Sequence, residues 1–312
     1  MQEQTNRQQE SILQKENTVY RSLDVSGTFR VFMGDMTGMA EDLRKINHST
    51  PTATAVLGRV AAGASMMGMM AKGEKDRLTL TFNGNGPGGK VVAVADSQGN
   101  VKAYMENPTI ELPLNQAGKL DVGGAVGRQG MLTVVRDFGF GEPYVGQVKL
   151  VSGEIAEDIT AYFAASEQMP TAVALGVLVD RDMSVRRAGG FIIQVLPHPD
   201  ERVLTKLEEN IGKLTSFTSL MEEEGDLLGV YERVFEGIQM DPPIVSHPAF
   251  RCDCSRERME QALISLGAKE LEDMIREDGK AELVCHFCRR RYLFDKEQLE
   301  ELAAQLREEK KG

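Results

Sequence analysis

The stretch RCDCSRERMEQALISLGAKELEDMIREDGKAELVCHFCRRR, residues 251–291, contains every cysteine of the chain. The four thiols form two close pairs: Cys252 and Cys254 in a C-x-C, and Cys285 and Cys288 in a C-x-x-C. Thirty residues without a cysteine separate the pairs. Two pairs at this spacing can supply four sulfur ligands to one tetrahedral zinc ion. The sequence therefore predicts a zinc site in the tail of the chain, residues 251–312.

A tail of this size has a small apolar core, so a bound metal would supply much of its folding free energy. His286 lies inside the second pair, but four thiolates already complete a tetrahedral shell. We therefore expect that His286 does not bind the metal. Nearby arginines could offset the negative charge of four thiolates on one zinc ion. They are Arg251, Arg256, Arg258 and Arg289–Arg291.

The same sulfur atoms are candidates for redox chemistry, because the thiolate is the oxidisable form of cysteine. In each pair the partner sulfur is close in sequence, so oxidation can form a local disulfide and remove ligands from the metal. Spacing alone is compatible with such a switch and also with a permanent structural site.

The composition is that of a soluble globular protein, with 41% apolar and 27% charged residues. A length of 312 residues suits about two domains. The formal net charge of −11 disfavours general binding to nucleic acids or anionic membranes. The first residues, MQEQTNRQQE, have no apolar segment, so we expect no secretory signal and a cytoplasmic location. The cysteines are then expected to be reduced.

Residues 20–197 have the pattern of one α/β (α+β) core domain, with a largely antiparallel sheet and packed helices. Residues 1–19 are rich in Gln and Glu, which predicts a disordered N-terminal extension. Short connections between the predicted strands favour antiparallel pairing, because parallel strands need a long crossover. A helix is predicted at about 154–167. The predicted strands are 78–82, 91–94, 101–104, 131–136, 144–150, 172–179 and 191–196.

An apolar run from Thr52 to Ala71 is about long enough to cross a bilayer. It carries Arg59 near its middle, which is costly at the bilayer centre. Thr50 and Pro51 are typical of an N-cap and a first helical position. We therefore predict a buried helix at 52–70 that packs closely through its small residues. Its methionines fit core filling better than a binding surface.

Residues 198–250 are predicted to form a helical, acidic linker, with 11 acidic and 4 basic side chains. One amphipathic helix is indicated by Leu204, Leu207, Ile211, Leu214 and Met221, and a second by Leu227, Tyr231, Val234, Phe235 and Ile238. A proline-rich connector at 241–248 then indicates a domain boundary. The helices could pack permanently on the core, or could dock in one state and expose their apolar faces in another.

The tail is predicted to contain three helices and a hairpin. Ser255 begins the first helix, which ends at Gly267, and the second helix stops near Gly279. The C-x-x-C lies at the turn of the hairpin. Asp295 and Gln298 resemble a capping box at the start of the last helix.

One other motif carries less weight. Residues 84–90 match the G-x-x-x-x-G-K pattern of nucleotide-binding loops. However, Val91 stands where Ser or Thr would hold Mg²⁺, and Pro87 lacks an N–H group, so a glycine-rich hairpin loop is the better interpretation. No catalytic triad or carboxylate pair can be drawn from the sequence, and we predict that the protein is not an enzyme.

The cysteine arrangement resembles that of the redox-regulated heat-shock holdases, the 33-kilodalton heat shock proteins. Three further segments resemble core motifs of that family: PTATAVLGR at 51–59, SGEIAED at 152–158 and SEQ at 166–168. The resemblance covers about Tyr20 to Leu306 and leaves the role of residues 1–19 open.

This resemblance implies a cytoplasmic, ATP-independent chaperone for unfolding proteins. The reduced protein would be an inactive monomer that holds one zinc ion through Cys252, Cys254, Cys285 and Cys288. Peroxide or hypochlorite would form Cys252–Cys254 and Cys285–Cys288 disulfides and release the zinc. The linker would then unfold, and a homodimer would hold client proteins against aggregation.

Two alternatives belong to other functional classes. A zinc-ribbon protein could bind nucleic acid through Arg289–Arg291, although the acidic linker argues against this. A thiol–disulfide oxidoreductase could use Cys285 and Cys288, and turnover of a disulfide substrate would identify it.

Overall fold

The computed structural model describes residues 16–309, and side chains as far as residue 306. The chain divides into two compact units, one ending at Arg251 and the other beginning at Cys252. Among the described residues, no helix is long and apolar enough to cross a membrane.

The N-terminal unit contains two five-stranded sheets, and every strand pairing in them is antiparallel. The strands are β1 (Thr18–Leu23), β2 (Phe29–Asp35), β3 (Arg77–Asn83), β4 (Val91–Asp96), β5 (Val101–Met105), β6 (Met131–Asp137), β7 (Tyr144–Lys149), β8 (Thr171–Val179), β9 (Val185–Val195) and β10 (Ile244–Ser246). The first sheet has the order β10-β1-β2-β9-β8 and the second β5-β4-β3-β6-β7. The predicted antiparallel α/β core is therefore confirmed.

In the described part of this unit, seven helices accompany the sheets: α1 (Thr37–Asn47), α2 (Pro51–Gly68), α3 (Val122–Val126), α4 (Ala156–Ser166), α5 (Glu201–Gly212), α6 (Phe217–Glu224) and α7 (Leu227–Val234). Helix α2 is the predicted buried helix and packs against strands of both sheets. Its methionines Met66 and Met67 are buried in the core, as predicted. Arg59 is accommodated because its guanidinium pairs with Glu154 at 2.6 Å.

Glycines let α2 approach its neighbours closely. A Cβ atom at Gly58 would lie 2.7 Å from Cγ2 of Val177 on β8 and 3.2 Å from Cβ of Ala40 on α1. Both distances are shorter than a normal carbon–carbon contact, so no larger residue fits without movement. The small residues of this helix therefore set the spacing between α2 and the first sheet.

The N-terminal boundary differs from the prediction. Strand β1 begins at Thr18, inside the predicted extension of residues 1–19; Asn17 donates a hydrogen bond to the carbonyl of Pro248 at 2.9 Å, and Val19 is fully buried. The Gln- and Glu-rich composition hid this start, because β1 gains its stability from pairing with β2 and β10. Residues 1–15 of the predicted extension lie outside the described residues.

Helices α5–α7, here called the linker helices, lie on the face of the first sheet that α2 leaves open. The predicted single helix through Leu204–Met221 is wrong, because α5 ends at Gly212 and α6 begins after Ser216. Ser216 is an N-cap, and its hydroxyl accepts a hydrogen bond from the backbone N–H of Ser219 at 3.1 Å. The break lets α6 turn Phe217 and Leu220 onto the sheet.

The C-terminal unit contains α8 (Arg256–Leu266), α9 (Ala268–Glu277), β11 (Lys280–Val284), β12 (Arg291–Asp295) and α10 (Lys296–Glu309). The predicted capping box is present: the N–H of Asp295 donates to Oε1 of Gln298 at 3.1 Å, and the N–H of Gln298 donates to Oδ1 of Asp295 at 3.0 Å. Its described core is small. The buried apolar residues are Leu263, Leu271, Tyr292, Phe294, Leu299, Leu302 and Ala303.

Two matched glycine substitutions test the close packing of α2. We expect Gly58→Ala to lower the free energy of unfolding by about 1–3 kcal/mol, because the new methyl group overlaps Val177. Gly212→Ala, at the end of α5, meets nothing within 4 Å and should be neutral or stabilising by up to about 1 kcal/mol. Urea unfolding of both reduced variants measures the difference. Equal stability of the two variants would contradict the packing argument.

Candidate metal centre

The four cysteines lie on two short segments of the C-terminal unit. Cys252 and Cys254 are on the extended segment that leads into α8, where the Ser255 hydroxyl caps the helix by accepting from the N–H of Arg258 at 3.3 Å. Cys285 and Cys288 are in the turn between β11 and β12. The cap and the hairpin therefore each hold one cysteine pair in position.

The turn between β11 and β12 is closed by two backbone hydrogen bonds. The N–H of Cys285 donates to the carbonyl of Arg290, and the N–H of Arg289 donates to the carbonyl of Cys285, both at 2.9 Å. Arg289 adopts a left-handed conformation with a φ of 60°. This tight turn directs Cys285 and Cys288 toward the first cysteine pair.

The four Sγ atoms, here called the cysteine cluster, all lie within 4.8 Å of one another. Two close contacts join the pairs, with Sγ of Cys252 3.7 Å from Sγ of Cys285 and Sγ of Cys254 3.3 Å from Sγ of Cys288. Four sulfurs at about 2.3 Å from one tetrahedral ion would be about 3.8 Å apart. The structure thus brings together the four predicted ligands at a spacing that fits a tetrahedral metal ion.

The electrostatics of the cluster favour an added cation. A hydrogen bond from the Cys252 thiol lowers the pKa of Cys285, and the same contact raises the pKa of Cys252. The backbone N–H groups of Cys288 and Phe287 lower the pKa of Cys285 further. The cluster alone therefore stabilises one thiolate at the expense of its neighbours. Four thiolates would require positive charge at the centre, which a metal ion supplies.

Tyr292 is a residue of this site that the sequence analysis missed. Its hydroxyl donates a hydrogen bond to Sγ of Cys254 at 3.1 Å, while its ring lies in the small core of the C-terminal unit. Burial and the hydrogen bond with Cys254 raise the pKa of Tyr292 to about 12, so it remains a donor at neutral pH. Such donors orient metal ligands. Its place on β12, just after the C-x-x-C turn, is the signal that could have identified it.

The other predicted candidates play different parts. His286 is exposed and is outside the cysteine cluster. Arg256 stacks over the ring of Phe294, with its Cζ 4.3 Å from the centroid, and donates to the carbonyl of Leu293, so it supports the fold. Arg290 is the arginine beside the cluster: burial lowers its pKa, but Tyr292 and the cysteine sulfurs outweigh that effect and raise it.

The glycine-rich loop at 84–90 does not offer a phosphate site. The N–H of Gly86 donates to the carbonyl of Val126, and the N–H of Gly88 donates to the carbonyl of Ala125, both at 3.0 Å. These N–H groups are therefore occupied by α3. The interpretation as a structural loop between β3 and β4 agrees with this geometry.

Comparisons with known proteins agree with one another. A family model described as Hsp33 protein matches residues 17–295. A protein named 33 kDa chaperonin from Alkaliphilus metalliredigens is 48% identical, over 91% of this chain and 97% of its own. The 33 kDa chaperonin of Clostridioides difficile is 42% identical, over 92% and 99% of the two chains. The crystal structure of the 33 kDa chaperonin (HSP33) from Thermotoga maritima matches with a TM-score of 0.86 at 42% identity. The match covers 93% of this chain and 98% of the Thermotoga maritima chain.

Removal of the Tyr292 hydroxyl should weaken metal binding without unfolding the tail. We expect Tyr292→Phe to lower the affinity for Zn²⁺, used as a probe, by roughly tenfold or more, because Cys254 loses its hydrogen-bond donor. Competition with a chromophoric chelator measures the affinity, and circular dichroism checks the fold. Tyr144→Phe, on an exposed tyrosine of β7, is the control and should bind as the unmodified protein does. Equal affinity of both variants would remove Tyr292 from the site.

Proposed function

Because the chain belongs to the Hsp33 family, we propose that it is a redox-regulated, ATP-independent holdase chaperone. The observation that carries this proposal is the cysteine cluster, which lies in a unit with a small apolar core. Reduction and oxidation of the same four sulfurs would then decide whether that unit stays folded.

We propose that Zn²⁺ is the metal of the reduced protein and that Cys252, Cys254, Cys285 and Cys288 hold it. Four thiolates in a tetrahedral arrangement are the donor set that zinc prefers in structural sites. A bound ion would supply the charge that keeps all four sulfurs deprotonated. It would also join the segment before α8 to the β11–β12 turn. In zinc-finger peptides, binding of a structural zinc ion contributes about 10–16 kcal/mol to folding.

Oxidation changes these sulfurs from ligands into disulfides. A thiolate attacks peroxide and becomes a sulfenic acid, with release of hydroxide; a neighbouring thiol then displaces its oxygen as water and forms the S–S bond. We propose Cys252–Cys254 and Cys285–Cys288 as the disulfides, because only one or two residues separate the partners in the sequence. A disulfide sulfur carries no thiolate charge and no longer ligates metal strongly. After the metal is released, the C-terminal unit would be stabilised by its small apolar core alone.

The linker helices supply the apolar surface that the proposal needs. They cover side chains of β2 and β9, namely Phe29, Val31, Met33, Phe191 and Ile193. Leu207, Phe217, Leu220, Met221, Leu227, Val230, Val234 and Phe235 cover them from the helices. The N-terminal unit, which includes the linker, ends at Arg251, and Arg251 is bonded directly to Cys252. We propose that unfolding of the C-terminal unit propagates through this junction and releases the helices, and both apolar faces then bind clients.

The clients in this proposal are unfolding proteins of the cytoplasm, and the oxidised protein acts as a homodimer. Holding a client requires apolar surface and no catalytic group, which fits relatives that are named chaperonins. The nucleic-acid alternative gains no support from Arg291, whose guanidinium pairs with Glu282 at 3.4 Å.

A light-scattering assay tests the switch. We expect the peroxide-treated protein to suppress aggregation of a thermally unfolding client at about a one-to-one ratio, and the reduced protein to suppress it little, because its linker helices remain docked. The zinc released during oxidation is titrated in parallel. A variant with all four cysteines changed to serine, treated with peroxide, controls for oxidation of other residues. Equal suppression by reduced and oxidised protein would contradict the switch.

Peptide mapping of the oxidised protein tests the proposed disulfides. Digestion without reduction should yield peptides that contain the Cys252–Cys254 and Cys285–Cys288 disulfides. Cysteines close in sequence meet most often once the C-terminal unit unfolds. The reduced structure also brings Cys252 close to Cys285 and Cys254 close to Cys288. Predominance of those crossed pairs would show that oxidation captures the folded cluster, contrary to the proposal.

A further inference from the structure

Residues 239–248, here called the return segment, run antiparallel along β1 at the edge of the first sheet. The paired residues are Val19 with Ser246, Tyr20 with Val245, and Arg21 with Ile244. Two further backbone hydrogen bonds extend this contact: the N–H of Asp241 donates to the carbonyl of Leu23, and the N–H of Val25 donates to the carbonyl of Gln239, both at 2.9 Å.

The backbone groups of β1 alternate between its two neighbours. Because Leu23 and Val25 bond to the return segment, alternation directs the N–H and C=O groups of Val19 and Arg21 to the same side. The backbone N–H and C=O groups of Tyr20 and Ser22 face β2. Departure of the return segment would therefore unpair Val19 and Arg21 and leave Tyr20 and Ser22 bonded.

The strand part of the return segment, β10, binds this edge mainly through its backbone. Its two apolar strand residues bury little surface, since Ile244 is 62% exposed and Val245 is 48% exposed. A contact made by main-chain hydrogen bonds places few demands on side chains, so an edge of this kind can accept many different sequences. That tolerance suits a protein that binds unrelated clients.

The return segment pairs with this edge in two separate parts, at Val19–Arg21 and again near Asp24. Strand β1 has six residues, all paired with β2, whereas β10 has three. Past Ile244 the register shifts by one residue, because Asp24 pairs with Met240, and Pro242 and Pro243 lie between the two paired regions with no N–H to donate. An extended segment without prolines could therefore pair along more of β1.

This edge adjoins the apolar surface that the linker helices cover. The ring of Tyr20 on β1 packs edge-on against the ring of Tyr231 on α7, with centroids 5.8 Å apart. Val19 is buried on the opposite face of the sheet. A chain paired with β1 would thus lie beside the face that becomes accessible when α7 leaves.

We propose that β1 is a docking edge for an extended segment of an unfolding client protein, which adds to the first sheet in place of the return segment. This inference rests on the proposed function, because it requires that the linker be released. The client then gains backbone hydrogen bonds from β1 and apolar contacts from the neighbouring face. Edge strands are ready templates for such pairing.

Residue-resolved amide hydrogen exchange tests the docking edge on the full-length chain. It is measured on reduced protein, on oxidised protein, and on oxidised protein with permanently unfolded, carboxymethylated α-lactalbumin as the probe. Protection of the Val19 and Arg21 amides should fall by about tenfold or more on oxidation and return with the probe. The amides of Tyr20 and Ser22, bonded to β2, are internal controls and should remain protected throughout.

Several outcomes would contradict the proposal that β1 is a docking edge. The Val19 and Arg21 amides could stay protected on oxidation, or could stay unprotected while the probe is bound. Protection that returns without the probe and increases with protein concentration would assign the edge to a second copy of the chain. If the oxidised protein fails to hold any client in light scattering, the proposed function itself fails. That result is separate from the exchange pattern.

Discussion

The closeness of four thiols that cannot all ionise together is the constraint on which the C-terminal unit depends. The Sγ atoms lie within 4.8 Å of one another, a distance at which like charges strongly oppose further ionisation. The opposite pKa shifts of Cys252 and Cys285 express this competition for a single negative charge. A central cation would turn the repulsion into attraction and would add to the contacts that already join the two segments, such as Tyr292 with Cys254 and Arg256 with Phe294. The same four sulfurs would then be stabilising with the ion and unfavourable as four thiolates without it.

The linker helices face the opposite constraint, because their stability comes from apolar contact with the first sheet. Each is short, and isolated helices of 8–12 residues are marginal in water. They stay folded because Phe217 and Val234 share a core with Phe29 and Phe191. A cover built from short helices can be removed in one cooperative step, and its removal exposes the sheet face and the helix faces together.

The sequence predicted the parts of this molecule that depend on local chemistry. Cysteine spacing indicated the cluster, Pro51 marked the start of α2, and Asp295 with Gln298 formed the expected cap. Features set by tertiary contact were missed. Nothing local distinguishes β1 from a polar extension, because its stability comes from pairing on both edges. Tyr292 has the same difficulty: its hydrogen bond to Cys254 joins positions 38 residues apart and depends on how the hairpin meets the segment before α8.

The break between α5 and α6 shows how local and tertiary signals compete. The apolar spacing from Leu204 to Met221 is compatible with one continuous helix, and only Ser216 suggests a new start. The Ser216 cap starts a new helix, and α6 packs on β8 and β9 through Phe217 and Leu220. The turn has a consequence for release. Two short helices are each less stable in isolation than one long helix. The folding of the linker therefore depends more on its contacts with the first sheet. A cover with little stability of its own fits the proposed mechanism, in which the linker helices leave the sheet.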